Sequence, residues 1–327
     1  MGLTDSRSSD VGAPCTVAII GAGTMAREHM RAFQDIPDVQ VAGIHSRTRS
    51  RAEALAAEFG VPMVSDSVDA LYESTKADLV LVAVPELSTR GVMLASFEHP
   101  WTVLVEKPAG YDLADATAIA EAARVRRRRA YLAVNRRFLS STRAVLAELS
   151  RTEGQRFIQI QDQQDQAAAF AAGQPADVVR NWMYANSIHV VDLFRFFGRG
   201  DVTKVDVVRP YDPATPGIVL AYLEFASGDC GMYQGMWNGP GPWAAAITTP
   251  DKRWEIRPLE QASVQKRGER VLAKIDQHPW DASFKPGFRL QAQAAVDAAQ
   301  GRATDLPTLD DGLVSMRLIQ QIFSIDH

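Results

Sequence analysis

The chain has 327 residues, about twice the length of a typical domain, so we expect two domains. Apolar residues make up 46% and charged residues 23%, as in an ordinary globular protein, and the net charge of −4 excludes a general attraction to nucleic acid or anionic membranes. No apolar run reaches the roughly 20 residues that span a bilayer, and the cysteines form no CxxC motif. We therefore expect a cytoplasmic protein that binds no metal and has neither nucleic acid nor membrane as a partner.

The first half of the chain alternates short apolar runs with helical patterns. Strands are predicted at residues 16–20, 39–45, 78–84, 101–106 and 130–134. Helices are predicted between them at residues 24–34, 49–59, 92–97 and 112–127. This alternation predicts βαβ units with right-handed crossovers, and therefore an α/β domain built on a doubly wound parallel sheet. We assign it to residues 14–135, after a polar stretch, residues 1–13, that is predicted to be a disordered tail.

The second half, residues 136–327, has a different pattern. Apolar and polar residues alternate in FIQIQDQ, VTKVDVV, GIVLAYLEF and CGMYQGMW, which predicts a mostly antiparallel sheet with one face on the core. Helices are predicted at residues 187–197, 286–300 and 309–323, and the glutamine- and alanine-rich residues 163–172 are predicted to form a mobile loop. The second domain is therefore expected to be α+β.

A glycine-rich turn joins the first strand to the first helix. IIGAGTMA places Gly21, Gly23 and Ala26 in a G-x-G-x-x-[GA] pattern, with Thr24 and Met25 opening the helix. Gly21 permits a tight turn, Gly23 lets a pyrophosphate approach the backbone, and Ala26 lets the helix pack close to the sheet. The helix N-terminus offers N–H groups to phosphate oxygens. The motif predicts a Rossmann domain that binds a nicotinamide dinucleotide.

The end of the second strand bears on the choice between NAD and NADP. An acid there binds the ribose 2′-hydroxyl of NAD, whereas an arginine accommodates the 2′-phosphate of NADP. The sequence 45–49, HSRTR, has no acid, and Ser46 and Arg47 can both donate to a phosphate. We therefore favour NADP over NAD. The alternative is that Arg47 and Arg49 are solvated and that NAD binds.

Lys107 directly follows the strand predicted at residues 101–106. VLVEKPAG places Glu106, Lys107 and Pro108 at the carboxyl end of the strand, and this edge of a doubly wound sheet faces the ligand crevice. A lysine held there brings its ammonium close to the nicotinamide or to a substrate hydroxyl.

Together with a later His-x-x-Asp, formed by His189 and Asp192, these motifs resemble the Gfo/Idh/MocA (glucose–fructose oxidoreductase and inositol dehydrogenase) family. The similarity runs from Val17 to Phe323, and its best-matching segments are IIGAGTMAREHM, SRT, VEKPAG, AVNRRF and NSIHVVDLFRFFG. The resemblance implies a second domain with a large open sheet that forms the substrate wall and an interface in a homo-oligomer, a dimer or tetramer. It also implies hydride transfer between the nicotinamide and a sugar, polyol or nucleotide sugar.

The resemblance assigns Lys107 as the active-site lysine and His189 as the acid/base. Oxidation of a CH–OH group needs a base for the hydroxyl proton, and histidine titrates near the working pH. A lysine stabilises the developing alkoxide. Asp192, one helical turn after His189, is a candidate to orient the imidazole.

Further candidates lie around these motifs. Cofactor contacts are expected, by resemblance or position, from the following residues: Gly21, Gly23, Thr24, Met25, Ser46, Arg47, Pro85, Glu106, Lys107 and Asn135. Substrate contacts are expected from a second set: Arg136, Arg180, Trp182, Tyr184 and Asp192. In this second set Arg136, or its neighbour Arg137, is a candidate to meet a carboxylate or phosphate of the substrate.

The chain departs from the family pattern close to His189. The family has an aspartate four residues before the histidine and a glycine two before, where this chain has Ala185 and Ser187. Tyr184 or Asn186 is a candidate substitute, or His189 acts alone. Two alternatives therefore stay open, namely a cofactor-binding sensor with little or no turnover and a biliverdin- or dihydrodiol-type reductase.

Overall fold

A computed structural model describes residues 14–325. The predicted disordered tail, residues 1–13, lies outside the described residues. Among residues 14–325, none of the helices has both the length and the apolar character that a membrane crossing requires.

The first half forms a six-stranded parallel sheet with helices between its strands. Its elements are β1 (Cys15–Ile20), α1 (Thr24–Gln34), β2 (Val39–His45), α2 (Arg49–Phe59), β3 (Val64–Ser65), α3 (Val68–Thr75), β4 (Leu79–Val82), α4 (Glu86–Ser96), β5 (Thr102–Glu106), α5 (Leu113–Val125) and β6 (Ala130–Ala133). The strand order is β3-β2-β1-β4-β5-β6, which is the Rossmann order. The predicted doubly wound sheet is confirmed, with β3 and α3 as elements that the sequence pattern did not reveal.

Burial explains why these segments become strands and helices. All four residues of β4 are fully buried, as expected for the centre of a parallel sheet covered on both faces. Along α1 the buried residues recur at helical spacing, and Ala26 and Phe33 are inaccessible to solvent. The small side chain of Ala26 therefore lets α1 start close to the sheet, directly after the glycine-rich turn.

The second half contains an eight-stranded sheet. Its elements begin with a 3-10 turn (Asn135–Phe138) and continue with α6 (Ser140–Leu149), β7 (Phe157–Gln164), α7 (Gln166–Ala171), α8 (Ala176–Arg180), a π-helical turn (Met183–Ser187), α9 (Ile188–Phe197), β8 (Val202–Arg209), β9 (Ile218–Phe225), β10 (Cys230–Trp237), β11 (Ala244–Thr248), β12 (Lys252–Ile256), β13 (Ala262–Lys266), β14 (Ala273–Ile275), α10 (Trp280–Ser283), α11 (Phe288–Ala299) and α12 (Leu309–Phe323). The strand order is β14-β13-β12-β11-β7-β10-β9-β8. Every described pairing is antiparallel except that of β7 with β10, which confirms a mostly antiparallel sheet.

The predicted mobile loop at residues 163–172 is wrong. β7 continues to Gln164, and α7 follows over Gln166–Ala171. The Asp165 carboxylate accepts a hydrogen bond from the Ala168 N–H at 2.8 Å and so caps this helix. Alanine-rich segments with such a cap favour a helix, and this local signal was missed.

The C-terminal helices pack against the first half of the chain. α11 packs against α1, and α12 packs against α5. One hydrophobic core contains Val82 and Val105 of the parallel sheet together with Ile160 and Tyr233 of the second sheet. The division at residue 135 stays a prediction, since buried side chains from both sides of it share this core.

Candidate active site

A cavity of about 680 Å³ lies at the carboxyl ends of the parallel strands, where it also meets α9 and the second sheet. Many residues predicted to bind cofactor or substrate line it: Gly21, Gly23, Thr24, Met25, Ser46, Arg47, Pro85, Glu106, Lys107, Asn135, Arg136 and His189. The fold therefore brings together side chains from six distant motifs at the edge where doubly wound sheets bind ligands.

The glycine-rich turn leaves room for a diphosphate. Gly21 directly follows β1 and has φ +118°. A Cβ there would lie 2.0 Å from the carbonyl oxygen of Ala83, which directly follows β4, so only glycine fits at this position. A Cβ on Gly23 would meet nothing within 4 Å, which means open space beside the turn. No side chain caps α1 at its N-terminal residue, Gly23. Its first N–H groups are thus available to phosphate oxygens, and the turn fits a dinucleotide.

The end of β2 adds cationic groups to the cavity. Ser46, Arg47, Thr48 and Arg51 line it, and within residues 14–325 neither Arg47 nor Arg51 has an ion-pair partner. Arg49, in contrast, pairs with Glu53 of the same helix and with Asp66 in the loop after β3. Arg51, in the first turn of α2, was not predicted.

Glu106 is held by hydrogen bonds within the protein. Its Oε1 lies 2.8 Å from His29 Nε2, and its Oε2 accepts the Lys107 backbone N–H at 3.1 Å. His29 is fully buried on α1, with its ring centroid 4.5 Å from that of Phe288. Both carboxylate oxygens of Glu106 thus have partners inside the protein. Glu106 also lines the cavity, and its contact with the cofactor stays a prediction.

Lys107 is hydrogen-bonded where the family pattern has an acid. Its Nζ donates to the Ala185 carbonyl oxygen at 2.9 Å. Ala185 lies in the π-helical turn Met183–Ser187, a geometry that recurs at functional sites. Burial lowers the pKa of Lys107, Glu106 and Glu86 oppose this shift, and nearby cations add to it. The ammonium therefore faces a neutral oxygen rather than a carboxylate.

His189 lies in the first turn of α9 and is 9% exposed. Its ring centroid is 5.8 Å from that of Trp243, and its Nδ1 is buried without a hydrogen-bond partner among the described residues. Burial, and then the positive charges of Lys107, Arg136 and Lys285, hold the pKa of His189 well below its ordinary value. The imidazole is therefore neutral near neutral pH, which is the form that accepts a proton.

The Asp192 carboxylate is hydrogen-bonded to groups other than His189. Its carboxylate accepts hydrogen bonds from Arg137 at 2.5 and 2.8 Å and from the Ser315 hydroxyl at 2.7 Å. Burial would raise the pKa of Asp192, but the Arg137 guanidinium outweighs burial and lowers it. The expectation that Asp192 orients the imidazole or binds substrate is therefore not supported, because its partners join α9 to the 3-10 turn and to α12.

Three further residues predicted to bind substrate lie outside the cavity lining. The Arg180 side chain is 72% exposed and pairs with Asp177. Trp182 Nε1 donates to Gln164 Oε1 at 2.9 Å. Tyr184 is 2% exposed, and burial raises its pKa to about 12. The structure therefore gives these three side chains partners or surroundings other than the cavity.

Asn186, named as a substitute for the missing acid, does line the cavity. Its Nδ2 donates at 2.8 Å to Gln164 Oε1, the same oxygen that accepts from Trp182. Gln164 Nε2 in turn donates to the buried Asp162 carboxylate at 2.5 Å, and Tyr233 Oη donates to Asp162 at 2.7 Å. A buried polar network under the π-helical turn therefore holds Asn186 in place.

Several lining residues carry no recognisable motif. Gln174, Trp243, and the pair Lys285 and Phe288 come from three separated segments of the second half. Asn135 connects one of these segments to the Rossmann half, because its Nδ2 donates to the Pro286 carbonyl at 3.1 Å. These residues could be assigned to the cavity only from the tertiary structure.

The comparisons agree with this geometry. Residues 15–134 match the model of the Gfo/Idh/MocA oxidoreductase family, described as having an NAD-binding Rossmann fold. An inositol 2-dehydrogenase of Streptomyces avermitilis is 34% identical over 124 residues, which is 37% of this chain and 36% of that protein. Inositol 2-dehydrogenase 1 of Mycolicibacterium vanbaalenii is 28% identical over 90% of this chain and 89% of its own length.

A solved structure shares the fold over nearly all of the chain. The UDP-N-acetylglucosamine 3-dehydrogenase of Acidithiobacillus ferrooxidans superposes with a TM-score of 0.76 at 17% identity, covering 94% of this chain and 96% of its own. The order of elements, the site at the sheet edge and these similarities lead to one conclusion: residues 15–134 match the Rossmann domain of the Gfo/Idh/MocA oxidoreductases, and nearly the whole chain is similar to an inositol 2-dehydrogenase.

Proposed function

We propose that this NAD(P)-dependent dehydrogenase transfers hydride between the nicotinamide and a carbinol carbon of a sugar, polyol or nucleotide sugar, with Lys107 and His189 as its acid/base pair. The observation that carries the proposal is that both side chains line the same cavity as the glycine-rich turn. The family relatives named above support the dehydrogenase reaction and a hydroxylated substrate.

The chemistry of the pair follows from the charge states of the two side chains. Neutral His189 takes the hydroxyl proton of the substrate, while the Lys107 ammonium donates a hydrogen bond to the same oxygen as negative charge develops on it. A dinucleotide held at the turn of Gly21 and Gly23 would supply the hydride acceptor, so that the carbinol carbon would become a carbonyl carbon as the proton passes to His189. The reverse reaction uses protonated His189 as the acid.

The part of the cavity around His189 also suits a hydroxylated ligand. Gln174 and Asn186 offer amide groups to hydroxyls, and Trp243 presents an aromatic ring close to His189. These three residues replace Arg180, Trp182 and Tyr184 in our proposal for the substrate contacts.

For the cofactor we propose a preference for NADP over NAD. Arg47 and Arg51 both line the cavity beside Ser46. Among the described residues, the carboxylates that line it are Glu86 and Glu106, and both belong to other elements. Two guanidinium groups without ion-pair partners favour a 2′-phosphate over a 2′-hydroxyl.

The decisive experiment separates binding from turnover. We expect Lys107→Met and His189→Asn each to lose at least ~100-fold in kcat, the low end of acid–base effects, while calorimetry shows that the cofactor still binds. Unchanged turnover in Lys107→Met would remove this lysine from the mechanism. Tight cofactor binding by the wild-type protein with no reaction across a broad panel of sugars and polyols would instead indicate a cofactor-binding sensor.

We also propose a homo-oligomer, a dimer or tetramer, that forms through the open face of the second sheet. Ile218 and Met236 are directly paired on β9 and β10 and are 39% and 36% exposed. Light scattering of the wild-type protein and of Met236→Asp tests this proposal, with a smaller particle expected for the variant. A monomeric wild-type protein would contradict it.

A further inference from the structure

We propose that the substrate carries an anionic group, a carboxylate or a phosphate, which Arg136 and Lys285 bind next to His189. This inference rests on the proposed function, since it concerns the same cavity and adds the charge of the ligand. Neither the family match nor the names of the two inositol 2-dehydrogenases specify this charge, whereas UDP-N-acetylglucosamine, in the name of the solved structure, carries a diphosphate.

The cationic side chains are close to the acid/base histidine. The Arg136 guanidinium carbon lies 5.7 Å from the Trp243 ring centroid, and the His189 ring lies 5.8 Å from the same tryptophan. Lys285 lines the same cavity from the segment before α11, with its Nζ 5.8 Å from the Phe288 ring centroid. A ligand whose hydroxyl reaches His189 therefore shares its cavity with both of these cationic side chains.

Two carboxylates near these cations already have partners inside the protein. Glu106 lines the cavity, but its two oxygens accept from His29 and from the Lys107 backbone. Glu260 accepts from Arg136 Nη1 at 2.8 Å and does not line the cavity. Arg136 Nη2 is thus left for an external acceptor, and within residues 14–325 Lys285 has no ion-pair partner.

The electrostatic environment of His189 is also positive, in agreement with an anion site beside it. The charged groups that shift its pKa are Lys107, Arg136 and Lys285, which are all cations. Lys107 is engaged at the reacting oxygen in the proposed mechanism, which leaves Arg136 and Lys285 to bind a second group of the substrate. Hydrogen bonds from guanidinium and ammonium to carboxylate or phosphate are the stronger, charge-assisted kind. The cavity should therefore select an acidic sugar over its neutral parent.

Matched sets of sugars provide the test. We would measure kcat/KM for glucose, glucuronate and glucose 6-phosphate, and for the galactose and mannose equivalents. In at least one set, the acid or the phosphate should exceed the neutral sugar by at least ~10-fold, the size of one charge-assisted contact. Whichever of the two anions is preferred identifies the group.

Two variants and a control assign the effect to the cavity. In Lys285→Met and Arg136→Met the anionic-to-neutral ratio should fall toward one, whereas Lys266→Met, an exposed lysine of β13, should keep the wild-type ratio. Wild-type protein that prefers neutral sugars in every set would overturn the inference, and so would a ratio unchanged in both cavity variants.

The inference can fail separately from the proposed function. If no sugar is turned over, the proposed function fails, and calorimetry with the cofactor-loaded protein decides the inference. Glucuronate or glucose 6-phosphate that binds at least ~10-fold more tightly than glucose, and loses this advantage in Lys285→Met, would support an anion site without catalysis. Anionic sugars that bind no better than neutral ones would overturn it.

Discussion

The Nζ of Lys107 and the carbonyl oxygen of Ala185 are joined by a hydrogen bond of 2.9 Å, although the two residues are 78 positions apart in the chain. The family pattern has an aspartate at position 185, which would give the lysine a negatively charged partner. Here the partner is a neutral backbone oxygen of a π-helical turn. The lysine thus keeps its place in the cavity without the charge that would stabilise its ammonium form.

An acid restored at this position should change the titration of the site. Ala185 is 4% exposed, so the carboxylate in Ala185→Asp would lie in a desolvated position close to Lys107. An opposite charge within a few ångströms raises a lysine pKa. We expect the basic limb of the kcat/KM profile to move to higher pH, as measured by steady-state kinetics. Ala185→Asn is the matched control without charge, and identical profiles for the two variants would contradict the prediction.

Cofactor preference should respond to one substitution at the end of β2. In Ser46→Asp a carboxylate would repel the 2′-phosphate of NADP and accept a hydrogen bond from the 2′-hydroxyl of NAD. We expect the ratio of kcat/KM for NADP to that for NAD to fall by at least ~10-fold. Ser46→Asn controls for size. A ratio that does not move toward NAD would show that Ser46 and Arg47 do not read this part of the cofactor.

The pH dependence of oxidation should reflect a histidine that resists protonation. Burial and three neighbouring cations lower the pKa of His189, so the base form persists as the pH falls and is lost only well below the ordinary histidine range. Removing one cation in Arg136→Met should raise this pKa and move the acidic limb of kcat/KM to higher pH. An acidic limb that lies at the ordinary value in the wild type, or that moves to lower pH in the variant, would exclude His189 as the titrating base.

Gln164 should affect both stability and activity. Gln164→Met removes the acceptor for Trp182 and Asn186 and the donor to the buried Asp162. We expect a loss of about 1–3 kcal/mol in the free energy of unfolding by urea, the cost of unpaired buried polar groups, together with a lower kcat because Asn186 is released. Gln161→Met, on the open face of the same strand, should cost less than about 0.5 kcal/mol. Equal losses in the two variants would contradict the role of the network.

Local sequence patterns were enough to predict most strands and helices of the Rossmann half and its glycine-rich turn. The bounds of α1, β2 and α2 agree with the sequence prediction, because each combines a clear apolar period with a glycine, proline or turn at its end. Gly21, Gly23, Lys107 and His189, which all line the cavity, were predicted from short contiguous motifs and from the family resemblance. The α7 helix was missed because its amphipathic signal is weak over only six residues.

The amino-acid sequence by itself predicted most strands and helices of the Rossmann half and the glycine-rich turn, since these depend on periodicity and neighbouring residues, and its family resemblance pointed to Lys107 and His189. Only the tertiary structure decided what each side chain contacts. It turned Asp192 toward Arg137, placed His29 on Glu106, and brought Lys285 and Trp243 to the cavity. Such contacts join segments more than fifty residues apart, and packing of the whole core, rather than any local propensity, brings these segments together.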